Sequence, residues 1–155
     1  MAISLSSISR TVRNNLPPRV VVHGAQKVGK STFAAGAYNP IFLPLEDGLS
    51  GIETSAFPQL RSFDEVMQAL DSLTAPNDFG TVVVDSLDWL EPLVWEYACK
   101  RNGWKSIEQP GYGKGYIEAN ADWRQFFDLL NVLRVQHGKA IVLIAHSQVK
   151  RFEAP

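Results

Sequence analysis

A single cysteine, Cys99, excludes a disulfide framework or a multi-cysteine zinc site, because either needs a second thiol. Cys99 lies in an apolar-periodic stretch and reads as a buried thiol in a reducing compartment. Excess charge of one sign is missing too: 15 Lys and Arg stand against 16 Asp and Glu. No global positive field draws the chain to nucleic acid, so any such contact has to rest on a local patch. No apolar run is long enough to span a bilayer, and residues 1–9 lack the basic region and long apolar core of a secretory signal. A cytoplasmic protein without a membrane partner is expected. Internal repeats and low-complexity segments are absent. The 155 residues suffice for one domain with a real core and are too few for two ordinary ones.

What is present begins at Gly24. Residues 24–31 read Gly-Ala-Gln-Lys-Val-Gly-Lys-Ser, which satisfies every fixed position of the phosphate-loop pattern G-x-x-x-x-G-K-[ST]. The preceding residues 19–23, Arg-Val-Val-Val-His, are short, apolar and β-branched, as the strand feeding such a loop must be. Gly24 and Gly29 allow backbone turns that a side chain would block, so successive N–H groups converge on a polyphosphate. The expected cradle comprises Gly24, Ala25, Gln26, Lys27, Val28, Gly29, Lys30, Ser31 and Thr32. Lys30 supplies a point charge to the β- and γ-phosphates of ATP, and Ser31 offers its hydroxyl to Mg²⁺. The N-terminus of the helix opening at Lys30 adds partial positive charge.

Three further strands are predicted at residues 40–45, 81–85 and 140–146, each separated from the next by helix. The first helix spans 30–37 and is stopped by Asn39-Pro40. A second opens at the capping box Ser62-Phe-Asp-Glu65 and buries Phe63, Val66, Met67, Leu70 and Leu73. A third follows Asp85, with Asp88 as its N-cap and Pro92 in its first turn. A fourth spans 120–136, places Trp123, Phe126, Phe127, Leu130 and Leu133 on one side and closes at Gly138. Alternating strands and helices predict an α/β fold in three layers, with a mostly parallel sheet and a ligand site at the carboxyl ends of the strands.

Residues 81–85, Thr-Val-Val-Val-Asp, form the second chemical motif. An apolar strand buried on both faces delivers Asp85 to its carboxyl end, beside the phosphate loop. There Asp85 can hold Mg²⁺ together with Ser31, as the second acidic element of phosphate-loop enzymes does. A helix cap or turn residue is the alternative.

The phosphate loop, Leu45-Glu46-Asp47, Val84-Asp85-Ser86 and Ile144-Ala-His-Ser-Gln148 resemble, in order and spacing, the ATPase core of RecA-type proteins. More narrowly the chain resembles phage-encoded nucleotide-binding AAA-type proteins, a group that includes ATPases proposed to act in single-strand annealing. The segment Gly111-Tyr-Gly-Lys-Gly-Tyr116 contributes to that impression. The resemblance covers residues 17–152 and makes 17–155 the ATPase core, after a lead segment 1–16.

The resemblance implies a role for each matching position. Glu46 would orient the attacking water, with Asp47 as the substitute; an acidic surface turn is the alternative. His146 stands where the RecA pattern has glutamine that senses the γ-phosphate. Residues 103–115 form a long aperiodic loop with Trp104, Lys105, Tyr112 and Lys114, followed by Tyr116. The corresponding segment in RecA-type proteins touches single-stranded DNA, and Tyr112 and Tyr116 could stack on bases while Lys114 meets phosphate. Lys150 and Arg151 could contact DNA or a neighbour's nucleotide, or form a solvated basic tail.

The family's strand order implies second, third, fourth, first. Residues 19–23 would then be an exposed edge, inviting self-association through that edge or in a ring or filament, unless the chain is a fragment. Pro44 places the second strand at the opposite border. The expected activity is slow ATP hydrolysis linked to single-stranded DNA in recombination or annealing. A nucleotide-dependent protein assembly switch without DNA, and an NTP-dependent kinase or motor, remain as alternatives.

Overall fold

The computed structural model describes residues 5–8 and 15–147. Gln148, Lys150 and Arg151, and most of the expected lead segment, lie outside the described residues. After a short 3-10 turn at Leu5–Ser7 come β1 (Arg19–Gly24), α1 (Lys30–Ala35), β2 (Pro40–Pro44), β3 (Ser55–Ala56) and α2 (Phe63–Ser72). They are followed by β4 (Thr81–Asp85), α3 (Leu87–Asn102), α4 (Lys114–Val135) and β5 (Ala140–His146). Every pairing in the sheet is parallel, in the order β1-β5-β4-β2-β3. The four expected strands thus stand in the expected order.

Burial is nearly continuous along the central strands because both faces are covered, and successive residues alternate between the two faces. Ile41, Leu43, Val82, Val84, Ile141 and Leu143 pack against α2, α3 and α4. Phe42, Val83, Val142 and Ile144 point the other way, toward Ala34 and Ala35 of α1. Each fully buried large side chain, such as Phe42, contributes about 1.5–3 kcal/mol relative to exposure. β1 pairs only with β5 among the described residues, and its Val21 is 58% exposed, which marks it as the edge.

The other border differs from expectation, since the two-residue β3 lies outside β2. Pro44 is compatible with this because the Leu45 N–H faces β4, donating to Asp85 O at 2.8 Å. The N of Pro44 therefore faces the β3 side, where β3 has already ended beside Phe42.

Several helix expectations need correction. α3 starts at Leu87 behind an extended Ser86, so Ser86 takes the N-cap position and Asp88 lies inside the helix. Pro92 consequently falls in the second turn, where it cannot supply the bond to the Asp88 carbonyl. α4 begins at Lys114, about two turns early, and Phe127 is 40% exposed rather than core. The buried stripe of α4 runs instead through Gly115, Ala119, Asp122, Phe126, Leu130 and Leu133. Gly115 is required there because a Cβ would sit 1.9 Å from the Ile107 carbonyl oxygen. α1 stops at Ala35, and Cys99 is half-buried. The capping box of α2 is partial: Ser62 Oγ accepts the Glu65 N–H, while the Glu65 carboxylate takes the N–H of Arg61.

α3 and α4 run in the same direction, since Trp95 meets Tyr116 while Arg101 meets Asp122. Their connection must therefore climb roughly 10 Å back along α3, which is why it is long.

Candidate nucleotide site

A cleft of about 420 Å³ opens at the carboxyl ends of β1, β2 and β5. Its walls include Gln26, Lys27, Gly29, Lys30, Ser31 and Thr32 from the phosphate loop, and Glu46, Asp47, Gly48, Ser50 and Ile52 from the segment after β2. His146 closes the side at the end of β5. Six of the nine expected cradle residues line this space. Gly24 and Ala25 participate through their carbonyls, and Val28 is 63% exposed.

β1 sets the loop in place by ending beside β5: Gly24 is in register with His146, and the Ser147 N–H donates to Gly24 O at 3.0 Å. Gly29 adopts φ +93 immediately before α1, a conformation that other residues rarely adopt. α1 has only six residues, so the loop amides, more than a helix dipole, supply the positive lining. Lys30 is nearly buried, and its Nζ donates to Gly24 O at 3.0 Å and Ala25 O at 2.7 Å. Those carbonyls hold the ammonium at the wall of the cleft.

Behind the loop the Ser31 hydroxyl donates to Asp85 Oδ2 at 2.6 Å. Asp85 is almost fully buried and lies under the cleft, with Ser31 between it and the open space. The bond between the Leu45 N–H and Asp85 O fastens the end of β2 to the end of β4 and brings Glu46 over Asp85. Glu46 Oε1 lies 3.0 Å from His146 Nε2. Glu46, Asp85 and His146 each offer a ligand atom within 4.8 Å of the other two. The sequence placed these residues at the ends of three strands; their mutual contact depends on register and was not legible.

Asp88 was assigned a different task by its sequence position. Its Oδ2 accepts the backbone N–H of His146 at 2.6 Å, tying the first turn of α3 to the end of β5. Ser50 and Ile52 were also missed, because nothing in their local pattern distinguishes them from an ordinary loop.

The aromatic segment divides. Its irregular part ends at Gly113, and Lys114 and Tyr116 are helical. Tyr112 is 99% exposed, and Lys105 and Lys114 are exposed as well. Trp104 is half-buried. Tyr116 packs edge-on against Trp95, with ring centroids 5.2 Å apart, and its hydroxyl donates to the Glu108 carboxylate. That bond raises the Tyr116 pKa above the ordinary phenol value, with burial adding to the effect.

No helix among the described residues is long and apolar enough to cross a membrane. Among curated proteins the chain is similar to the SPbeta prophage-derived uncharacterized protein YorG of Bacillus subtilis (strain 168), at 23% identity over 135 residues. The match covers 83% of this chain and 40% of that protein, so the chain spans about two fifths of its relative's length. A family model described as an AAA domain matches residues 16–155, taking in every strand and helix that builds the cleft, and the chain therefore belongs to the AAA domain family of nucleotide-binding P-loop proteins.

Proposed function

We propose that this chain binds Mg·ATP in the cleft and hydrolyses it slowly, as the core of a phage-encoded ATPase that acts on single-stranded DNA in recombination or annealing. The observation that carries the nucleotide reading is the 2.6 Å bond between Ser31 and Asp85, with the Lys30 ammonium on the wall of the same cleft. This donor set fits the ligand: a hydroxyl and a carboxylate for a hard cation, a lysine and loop amides for phosphate.

The residues divide the work. Lys30 can leave the two carbonyls for phosphate oxygens, and Ser31 and Asp85 would hold Mg²⁺, which supplies charge neutralisation between the phosphates when bound. The Glu46 carboxylate would hold a water for in-line attack. His146 would donate a hydrogen bond toward the γ-phosphate position and exchange its Glu46 contact for that role. Turnover is slow because a charge-stabilising finger is expected from a neighbouring copy, through the exposed β1 edge or in a ring or filament.

The DNA reading rests on the exposed Tyr112 and Lys114 together with the family likeness. Tyr116 favours a second reading, a nucleotide-dependent assembly switch without DNA, because its ring is committed to Trp95.

Calorimetric titration with Mg·ATP tests the nucleotide site: the parent chain should bind, and folded Lys30→Ala should not. Binding of equal strength by the variant overturns the assignment. Titration of a labelled single-stranded oligonucleotide across a salt series then separates the two readings, since DNA contacts weaken steeply with salt.

A further inference from the structure

Glu46 and His146 in the cleft wall and Asp85 beneath it bring one nitrogen and two carboxylate donors together. We propose that these three residues form a site for a borderline transition cation of the Zn²⁺ or Co²⁺ class, sharing Asp85 with the nucleotide magnesium position.

The donor chemistry selects the cation. Mg²⁺ favours an all-oxygen octahedron and keeps its waters, whereas imidazole with carboxylates suits Zn²⁺ and its neighbours in the first transition row. Ligand atoms about 2.0–2.2 Å from such an ion lie at most about 4.4 Å from one another. The three ligand atoms, all within 4.8 Å of one another, are thus a small side-chain movement from that span. Glu46 and His146 face the cleft, so a water can complete the coordination.

The surroundings support a cation at this point. Two carboxylates converge here, while Lys30 of the loop turns its Nζ to Gly24 O and Ala25 O. His146 Nε2 meets Glu46 Oε1 at 3.0 Å, and the Ser31 hydroxyl meets Asp85 Oδ2 at 2.6 Å. Asp88 fixes the backbone of His146, and Ser31 fixes one oxygen of Asp85, so two of the three ligands are held from outside the set. Because the ion would occupy the Glu46 carboxylate, it would block turnover without expelling nucleotide. That consequence rests on the role proposed for Glu46; the binding does not.

The test is a Co²⁺ titration of the whole nucleotide-free chain followed by its visible absorption, with Zn²⁺ as competitor. One saturating equivalent displaced by Zn²⁺ is expected. His146→Ala and Glu46→Gln should each weaken Co²⁺ binding by about tenfold or more. Ser50→Ala, which lines the cleft outside the donor set, should stay within about twofold of the parent, while Ser31→Ala should lose part of the affinity because it frees Asp85. Far-UV circular dichroism without metal checks each fold, and His146→Gln replaces His146→Ala if the latter unfolds. No saturable absorption, an unchanged titration in the folded His146 or Glu46 variants, or an equal loss in Ser50→Ala overturns the site. Mg·ATP titration of the same samples keeps the two ideas apart: ATP binding without Co²⁺ binding sinks only the cation site, and Co²⁺ binding without ATP binding sinks only the nucleotide assignment.

Discussion

Glu46 Oε1 and His146 Nε2 meet at 3.0 Å across the end of a strand to which neither belongs. β4 separates β2 from β5 in the sheet, so the pair arches over Asp85, the last residue of β4. The groups proposed to orient water and to sense phosphate are thereby in direct contact. Release of Glu46 by His146 becomes a step of the proposed reaction.

Glu46→Gln keeps the shape of the side chain and removes its charge. Mg·ATP affinity should be retained while turnover falls by about tenfold or more, within the range of general-base contributions. Steady-state phosphate release beside calorimetric titration checks both halves. Unchanged hydrolysis would return Glu46 to the status of a turn residue and move attention to Asp47.

Asp88 holds the end of β5 through a charge-assisted bond to the His146 N–H. Removing the acceptor in Asp88→Ala should cost about 1.5–3 kcal/mol, the range for bonds to charged groups. Asp88→Asn retains a carbonyl oxygen and should recover much of this loss. Urea unfolding of the three proteins measures the difference; equal midpoints would show that water replaces the carboxylate freely.

The aromatic segment gives opposite expectations for its two tyrosines. Tyr112→Ala should leave stability unchanged and lower single-strand affinity by about 1–3 kcal/mol if Tyr112 stacks on a base. Lys114→Ala should flatten the salt dependence by one phosphate contact. Tyr116→Ala instead removes the ring contact with Trp95 and should cost about 0.5–1.5 kcal/mol of folding stability beyond area burial. Oligonucleotide titrations and thermal melts distinguish these outcomes. Unaltered DNA affinity in the Tyr112 and Lys114 variants would favour the assembly-switch reading.

Asp122 provides a pH dependence away from the cleft. Its carboxylate is fully buried, Oδ1 accepts from Arg101 Nη1 at 2.6 Å, and the buried Oδ2 has no hydrogen-bond partner. Burial raises its pKa above the ordinary carboxylate value, and Arg101 pulls it only partly back. Between the unfolded and the raised folded values the native chain holds more protons than the unfolded one. Stability from this group is fully present below that window and declines as pH rises through it. Asp122→Asn should remove that component from the slope of urea midpoint against pH, and an unchanged slope would reject the assignment.

The strands β1, β2, β4 and β5 were legible because each is a compact apolar run with β-branched residues and a turn signal at its end. β3 was not, since Ser55-Ala56 carries no strand propensity and exists only because β2 offers it a partner. The start of α4 was hidden by Gly113 and Gly115, which read as loop until the positive φ of the first and the close approach of Ile107 to the second explain them. Asp88 was misread as a cap because a helix start explains an aspartate locally, while its actual partner lies 58 residues away. In the cleft, the phosphate loop follows from fixed spacing, but the Glu46, Asp85 and His146 cluster is set by strand register and by the Leu45 tie to Asp85.

Among the described residues β1 pairs on one side only, and this divides its own amides. Ile141 N–H donates to Pro18 O and Ser147 N–H to Gly24 O, so the even-numbered residues between them turn their backbone toward β5. Arg19, Val21 and His23 turn theirs away. Deuterium from solvent can therefore reach every second amide of β1 while the strand stays in place, and the other half must wait for β1 to part from β5. The strand that carries the phosphate loop is thus half transparent to isotope exchange, and protection gained at Val21 would report a new neighbour at that edge directly.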